Sequence, residues 1–204
     1  RPFQKMNASK HPNRLALIPA LLLALFVSSL PLSVASAAAF TNGSFELPGV
    51  PSGSSLVLPV GSTGLVGWTI GGTGAPVAVY SPYLVAGAAN GSNDLAFNIL
   101  NQSPGTWIAQ SFDTIIGVTY DVTYFVGRGS GGGGVVSITA SVRSQTAVLL
   151  AQAVSSPASL GYGTVQHLVF TATTATSTLE FLDTSTDTIG VDVLLDNVGV
   201  AIRA

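Results

Sequence analysis

The stretch Val191-Asp192-Val193-Leu194-Leu195-Asp196-Asn197-Val198-Gly199-Val200 decides how this chain is read. Leu194, Val198, Val200 and Ile202 share one parity, as a strand with one buried face requires. Asp196 falls on that same apolar parity. A carboxylate turned inward is costly unless hydrogen-bond donors or a cation meet it. Two readings stand. Either Asp196 takes backbone N–H groups at the mouth of the strand, or it lines an oxygen-rich cation site where the first and last strands of a sandwich lie side by side. In both, this strand closes the fold, since only residues 201–204 follow it.

Working outward, short segments rich in Val, Thr, Ile and aromatics recur between Gly, Pro, Asn and Ser clusters. They read as strands over residues 40–47, 65–70, 76–80, 94–100, 106–112, 119–126, 135–142, 148–154, 166–171 and 178–182. Residues 48–64 form a loop after Pro48-Gly49, and 127–134 form a glycine loop. Tyr120, Val122, Tyr124 and Val126 share one face of their strand, as do Val136, Ile138, Ala140 and Val142. No helical period appears after residue 38. The pattern predicts an all-β chain, an antiparallel β-sandwich of jelly-roll type, with no internal repeat.

Of 204 residues, 8% are charged and 47% hydrophobic, which excludes a disordered tail and suits half-buried strands. Four of the seven basic residues (Arg1, Lys5, Lys10, Arg14) precede Leu15. From Ala38 onward nine acids face Arg128, Arg143 and Arg203, a net charge of −6 with no lysine. Such a surface repels nucleic acid and anionic lipid. The absence of cysteine excludes disulfides and thiolate zinc sites.

Residues 1–37 read as a secretory signal peptide, with 1–5 an upstream remnant before Met6. Lys10 and Arg14 supply a basic start, and 15–27 an apolar core interrupted by Pro19. Ala35-Ser36-Ala37 gives a small-x-small cleavage signal before Ala38. An uncleaved anchor prefers about 20 unbroken apolar residues, and Ser28-Ser29 and Pro31 break this one early. Residues 38–204 are then one secreted domain, outside the membrane after cleavage.

Gly127-Arg128-Gly129-Ser130-Gly131-Gly132 matches a dinucleotide fingerprint, but a strand follows it where that chemistry needs a helix N-terminus; it reads as a hairpin loop. His167, the only histidine after the leader, has no G-x-S-x-G elbow to serve and reads as a surface strand residue. Asp183, Asp187, Asp192 and Asp196 lie close in sequence, with Glu46 and Glu180 further candidates. A pair of them at suitable separation would make a glycosidase; hard-cation binding at Asp196 uses the same oxygens differently.

Trp68 shares parity with Ile70 and reads as core. In residues 106–112, Ile108, Gln110 and Phe112 share one parity, while Trp107 takes the other with Ala109 and Ser111. An aromatic on a polar strand face is a platform for sugar C–H groups, or edge packing under a loop. Tyr80 and Tyr83, at a Pro-containing bend, are further stacking candidates. Gln110, Asn98 and Asn101 are candidate hydrogen-bonding groups for a glycan.

Several motifs now fit one pattern. Asn42-Gly43-Ser44-Phe45-Glu46 resembles the opening of galactose-binding-like β-sandwich modules. Residues 61–70, Gly-Ser-Thr-Gly-Leu-Val-Gly-Trp-Thr-Ile, resemble a segment of the DUF642 and choice-of-anchor C families. Asn93-Asp94-Leu95, Ile108-Ala109-Gln110-Ser111-Phe112, Tyr120-Asp121-Val122-Thr123-Tyr124 and Leu195-Asp196-Asn197-Val198 follow in that family's order. The resemblance covers residues 40–202. It implies an exported, non-catalytic jelly roll related to carbohydrate-binding modules and associated with cell-surface polysaccharide. It also implies a structural calcium ion shared by Asp196 and the 42–46 segment, with Glu46 as a further ligand. The cysteines of plant relatives are absent, and the C-terminal sorting segment of bacterial relatives is not seen. The leading expectation is a secreted carbohydrate-binding module at the cell surface or beyond it, partnered by a polysaccharide. The alternatives are a self-associating matrix protein and a polysaccharide hydrolase.

Overall fold

The structure, a computed structural model, describes Pro2 and residues 39–81, 87–145 and 147–204. The stretch read as a signal peptide, apart from Pro2, and Tyr83 lie outside the described residues. The described strands belong to one compact unit, Ser36–Ala204. They are β1 (Ser54–Leu58), β2 (Thr69–Gly72), β3 (Val77–Ser81), β4 (Asp94–Phe97), β5 (Thr106–Asp113) and β6 (Thr119–Arg128). Then come β7 (Ser137–Ser144), β8 (Ala147–Ser155), β9 (Gly161–Tyr162), β10 (Gln166–Thr171), β11 (Thr176–Asp183) and β12 (Val193–Ile202). A single 3-10 turn, Ile99–Asn101, follows β4.

One sheet runs β1-β3-β4-β12-β6-β10, with β9 also pairing β6; the other runs β2-β5-β11-β7-β8. Every pairing is antiparallel. The alternation in sequence becomes alternation of burial. In β6, Tyr120, Val122, Tyr124 and Val126 are buried, and in β7, Ile138, Ala140 and Val142 are. These rows meet Phe45, Trp68, Phe97, Phe112, Leu168 and Phe181 between the sheets. Trp68 is core as expected, edge-on to Phe40 with ring centroids 5.7 Å apart.

Three local expectations are corrected. Residues 40–47 are not a strand: Asn42 and Phe45 have φ of 52° and 56°, so the segment coils where extended backbone was expected. Its Gly43 lies so close to the closing strand that a Cβ would come within 1.9 Å of Val198 O, and Gly43 O accepts Val198 N at 2.8 Å. Residues 65–68 form a turn, leaving β2 to begin at Thr69. The 48–64 loop contains a true strand, β1, on the outer edge of the seven-stranded sheet.

The fourth correction matters most. The register of β12 against β6 shifts between Asp196 and Gly199, with Asn197 at φ 51°. An extra residue in a bulge reverses which face the following side chains take. Val193 and Leu195 before it, and Val198 and Val200 after it, pack on the core. Leu194 and Asp196 instead face the opposite side of the sheet, Asp196 beside Phe125. Asp196 is fully buried, as its neighbours in sequence suggested, but not between the sheets.

Candidate functional site

Two outer faces carry the chemistry. On the seven-stranded sheet, register places Tyr80 opposite Asp94, and Asp196 opposite Phe125, across the middle strands. Ala78, Ala96 and Leu194 form a small apolar floor beside them, with the Tyr162 ring packed on it. Tyr162 reaches across because Gly127, its partner in β6, has no side chain: a Cβ there would come within 2.8 Å of the Tyr162 ring. Its hydroxyl donates to Asp94 Oδ2 at 2.9 Å, while Asp94 Oδ1 is buried without a partner. Burial, with Asp196 nearby, pushes the Asp94 carboxyl up to about 7.

Asp196 takes Asn90 N on Oδ2 at 2.8 Å and Asn197 N on Oδ1 at 2.6 Å. Burial pushes it up to about 7, against those N–H groups and reinforced by the nearby Glu46 charge. Glu46 Oε1 accepts Ser92 N and Asn93 N, both at 2.8 Å. The first reading of Asp196, backbone N–H capping, is therefore realised. Calcium on Asp196 and Glu46 would compete with amide donors for these oxygens, and among the described residues no three His, Cys, Asp or Glu side chains form a metal cage. In this structure these oxygens are met by backbone N–H groups. Tyr80 is buried, its hydroxyl donating to Asp192 Oδ2 at 3.3 Å; burial lifts Asp192 to about 6.

The outer face of the five-stranded sheet differs in character. Gly71, Trp107, Leu182 and Thr139 lie side by side across four strands. Trp107 is half-buried, and its indole crosses Gly71, where a Cβ would come within 2.1 Å of the ring. Ser111 and Thr178 share a hydroxyl contact on the same face at 2.8 Å, and Arg143 pairs with Glu180 at 2.6 Å. The polar-face assignment of Trp107 holds.

Other candidates turn out to be structural. Gln110 is buried and clamps the first segment, Oε1 accepting Thr41 N at 2.7 Å and Nε2 donating to Thr41 O at 2.9 Å. Asn98 is fully buried in a left-handed turn; its amide nitrogen donates to Phe97 O and Val191 O and its oxygen accepts from Ser185 Oγ. Neither can face a glycan. Asn101 is exposed, with Oδ1 taken by Gly190 N. His167 lies on the surface beside Asp121 at 3.0 Å, and Asp183 caps Ser185. Asp94 and Tyr162 were missed as a pair. Their only sequence signals were the Asn93-Asp94-Leu95 motif and a glycine in mid-strand at 127.

No protein-family model matches the chain, and no curated protein does. Solved structures do. The carbohydrate-binding module TmCBM61, in complex with beta-1,4-galactotriose, is similar at 15% identity with a TM-score of 0.58, over 80% of this chain and 97% of that one. A cyclase from Fischerella sp. TAU is similar at 16% identity and TM-score 0.59, over 83% and 98%. An arabinose-bound MgGH51 α-L-arabinofuranosidase matches at 16% identity and TM-score 0.51, over 81% of this chain but 26% of its own. The fold is thus an antiparallel β-sandwich of jelly-roll type, similar to these structures.

Proposed function

We propose that the chain is a secreted, non-catalytic carbohydrate-binding module that holds a neutral polysaccharide on the outer face of the five-stranded sheet. The observation that carries this is Trp107, half-buried across Gly71 beside Leu182 and Thr139. Sugar C–H faces pack on such a ring, and the hydroxyls of Thr139, Ser111 and Thr178 supply polar partners around it. The fold shared with TmCBM61 supports the reading and makes a β-1,4-linked galactan the first ligand to try. Membership of the DUF642 or choice-of-anchor C family is part of the same proposal. It is supported by the contact of Gly43, in the opening motif, with Val198, in the closing one. The non-catalytic part is supported by the paired carboxylates Asp94 and Asp196, which are 3% and 0% exposed rather than flanking an open cleft.

A self-associating matrix protein is the second reading. It is favoured by β8, an uncharged edge strand with Val148 and Leu150 54% and 37% exposed, since bare apolar edges pair with other chains. Exported protein applied to a neutral-glycan array, with a light-scattering concentration series, separates the two. Glycan binding by a monodisperse protein is expected. Growth of scattering without glycan would favour the matrix reading, and release of sugar from galactan would overturn the non-catalytic one.

A further inference from the structure

Asparagine is followed by glycine at two places in the chain, Asn42-Gly43 and Asn90-Gly91. With no Cβ to hinder it, a glycine nitrogen can attack the side-chain carbonyl of the asparagine before it. The two pairs are held very differently. Asn42 Nδ2 donates to Leu47 O at 2.6 Å and to Val66 O at 2.9 Å, and its Oδ1 accepts Leu47 N at 3.0 Å. To react, the Asn42 amide would have to leave all three bonds. Asn90 is exposed, as are Ala89, Gly91 and Ser92 around it. Among the described residues its side chain makes no hydrogen bond, and neither does Gly91 N.

The backbone of this second pair is fixed from both sides. Asn90 N donates to Asp196 Oδ2 at 2.8 Å, and Glu46 Oε1 accepts Ser92 N and Asn93 N, both at 2.8 Å. Gly91 has φ 71°, and a Cβ there would come within 2.3 Å of Glu46 Oε1. The turn thus requires the glycine that makes the pair reactive.

We propose that Asn90 is a site of spontaneous deamidation, at which the turn held by Asp196 and Glu46 ages into an acidic one. Gly91 N attacks Asn90 Cγ and forms a C–N bond; its proton and the side-chain amino group leave together as ammonia. One water then opens the five-membered imide at either carbonyl, giving aspartate or isoaspartate. The step needs no oxidant, cofactor or enzyme. The product adds a negative charge to a turn already fastened by two carboxylates, and like charges at short range repel. Isoaspartate also adds one carbon to the main chain between residues 90 and 91, which shifts Asn90 N and Ser92 N relative to their acceptors. The change loosens the tie between the opening segment, through Glu46, and the closing strand, through Asp196. This inference is independent of the leader and carbohydrate readings.

The test uses the full chain, purified from an exporting host and incubated natively at pH 5 and pH 8 in water enriched in heavy oxygen. Cleavage after Glu46 separates the two pairs, and peptide fragmentation places each amide-to-acid conversion. Conversion at Asn90 should incorporate one heavy oxygen and run faster at pH 8. It should exceed conversion at Asn42 by about tenfold or more, because Asn42 reacts only after local opening. In urea the two pairs should convert at similar rates. Aged wild type should melt lower than fresh protein, while Asn90→Gln should keep its melting temperature through the same incubation. Equal conversion of the two pairs in the native protein overturns the proposal, as does an Asn90 that stays intact natively while it reacts in urea.

Discussion

The Tyr162 hydroxyl bridges β9 and β4 to meet Asp94 Oδ2 at 2.9 Å, passing over a glycine that leaves room for its ring. This one donor serves a buried carboxyl group whose other oxygen has no partner. It ties the short β9 arm to the middle of the seven-stranded sheet.

Tyr162→Phe should therefore destabilise the domain by about 1–3 kcal/mol, because it leaves a buried acceptor unserved. Gly127→Ala should cost a similar 1–3 kcal/mol, roughly, by pushing the ring off the floor. Urea unfolding of the two variants and their double mutant checks this. Both act on one contact, so their costs should not add.

The same carboxyl groups set a pH dependence. Asp94 and Asp196 are raised to about 7 and Asp192 to about 6, burial being the main cause in each. A carboxyl with its native value above its unfolded one binds more protons folded than unfolded across the window between the two. Stability is then greatest below about pH 4 for these groups and falls as pH rises through 7. The melting temperature should be higher at pH 5 than at pH 8, by roughly 5 °C or more. A maximum above pH 7 in a thermal-melt series would contradict the burial of these acids.

Amide donors already meet Asp196 and Glu46. A chelator should accordingly leave the melting curve of the wild type unchanged. Asp196→Ala should destabilise it in chelator and in calcium alike, because the N–H groups of Asn90 and Asn197 lose their acceptor. Calcium on these carboxylates predicts the opposite, a chelator-dependent fall that Asp196→Ala abolishes.

The two tryptophans should separate binding from stability. Trp107→Ala, on the open face, should weaken retention on a galactan affinity gel while changing the unfolding midpoint little. Trp68→Ala should lower stability by about 3–5 kcal/mol as a core truncation, since Trp68 packs on Phe40, Phe45 and Phe181. If Trp107→Ala unfolds the domain without a separable binding loss, the glycan face must be sought elsewhere.

Some of this was legible in the sequence alone. Period-two alternation is a local property, so most strands from β3 onward, the buried rows of β6 and β7, and the outward side of Trp107 could be read directly, whereas the coil at 40–47, β1 and the turn at 65–68 that carries Trp68 could not. The burial of Asp196 could be read too. Its direction could not, because a bulge at Asn197 depends on how β12 meets β6, and one extra residue turns every later side chain over. Nor could the uses of Gln110 and Asn98, whose partners Thr41 and Ser185 lie 69 and 87 residues away along the chain. A polar side chain looks the same in sequence whether it faces a ligand or satisfies distant backbone. Only tertiary structure, by bringing those donors and acceptors together and excluding water from them, decides which.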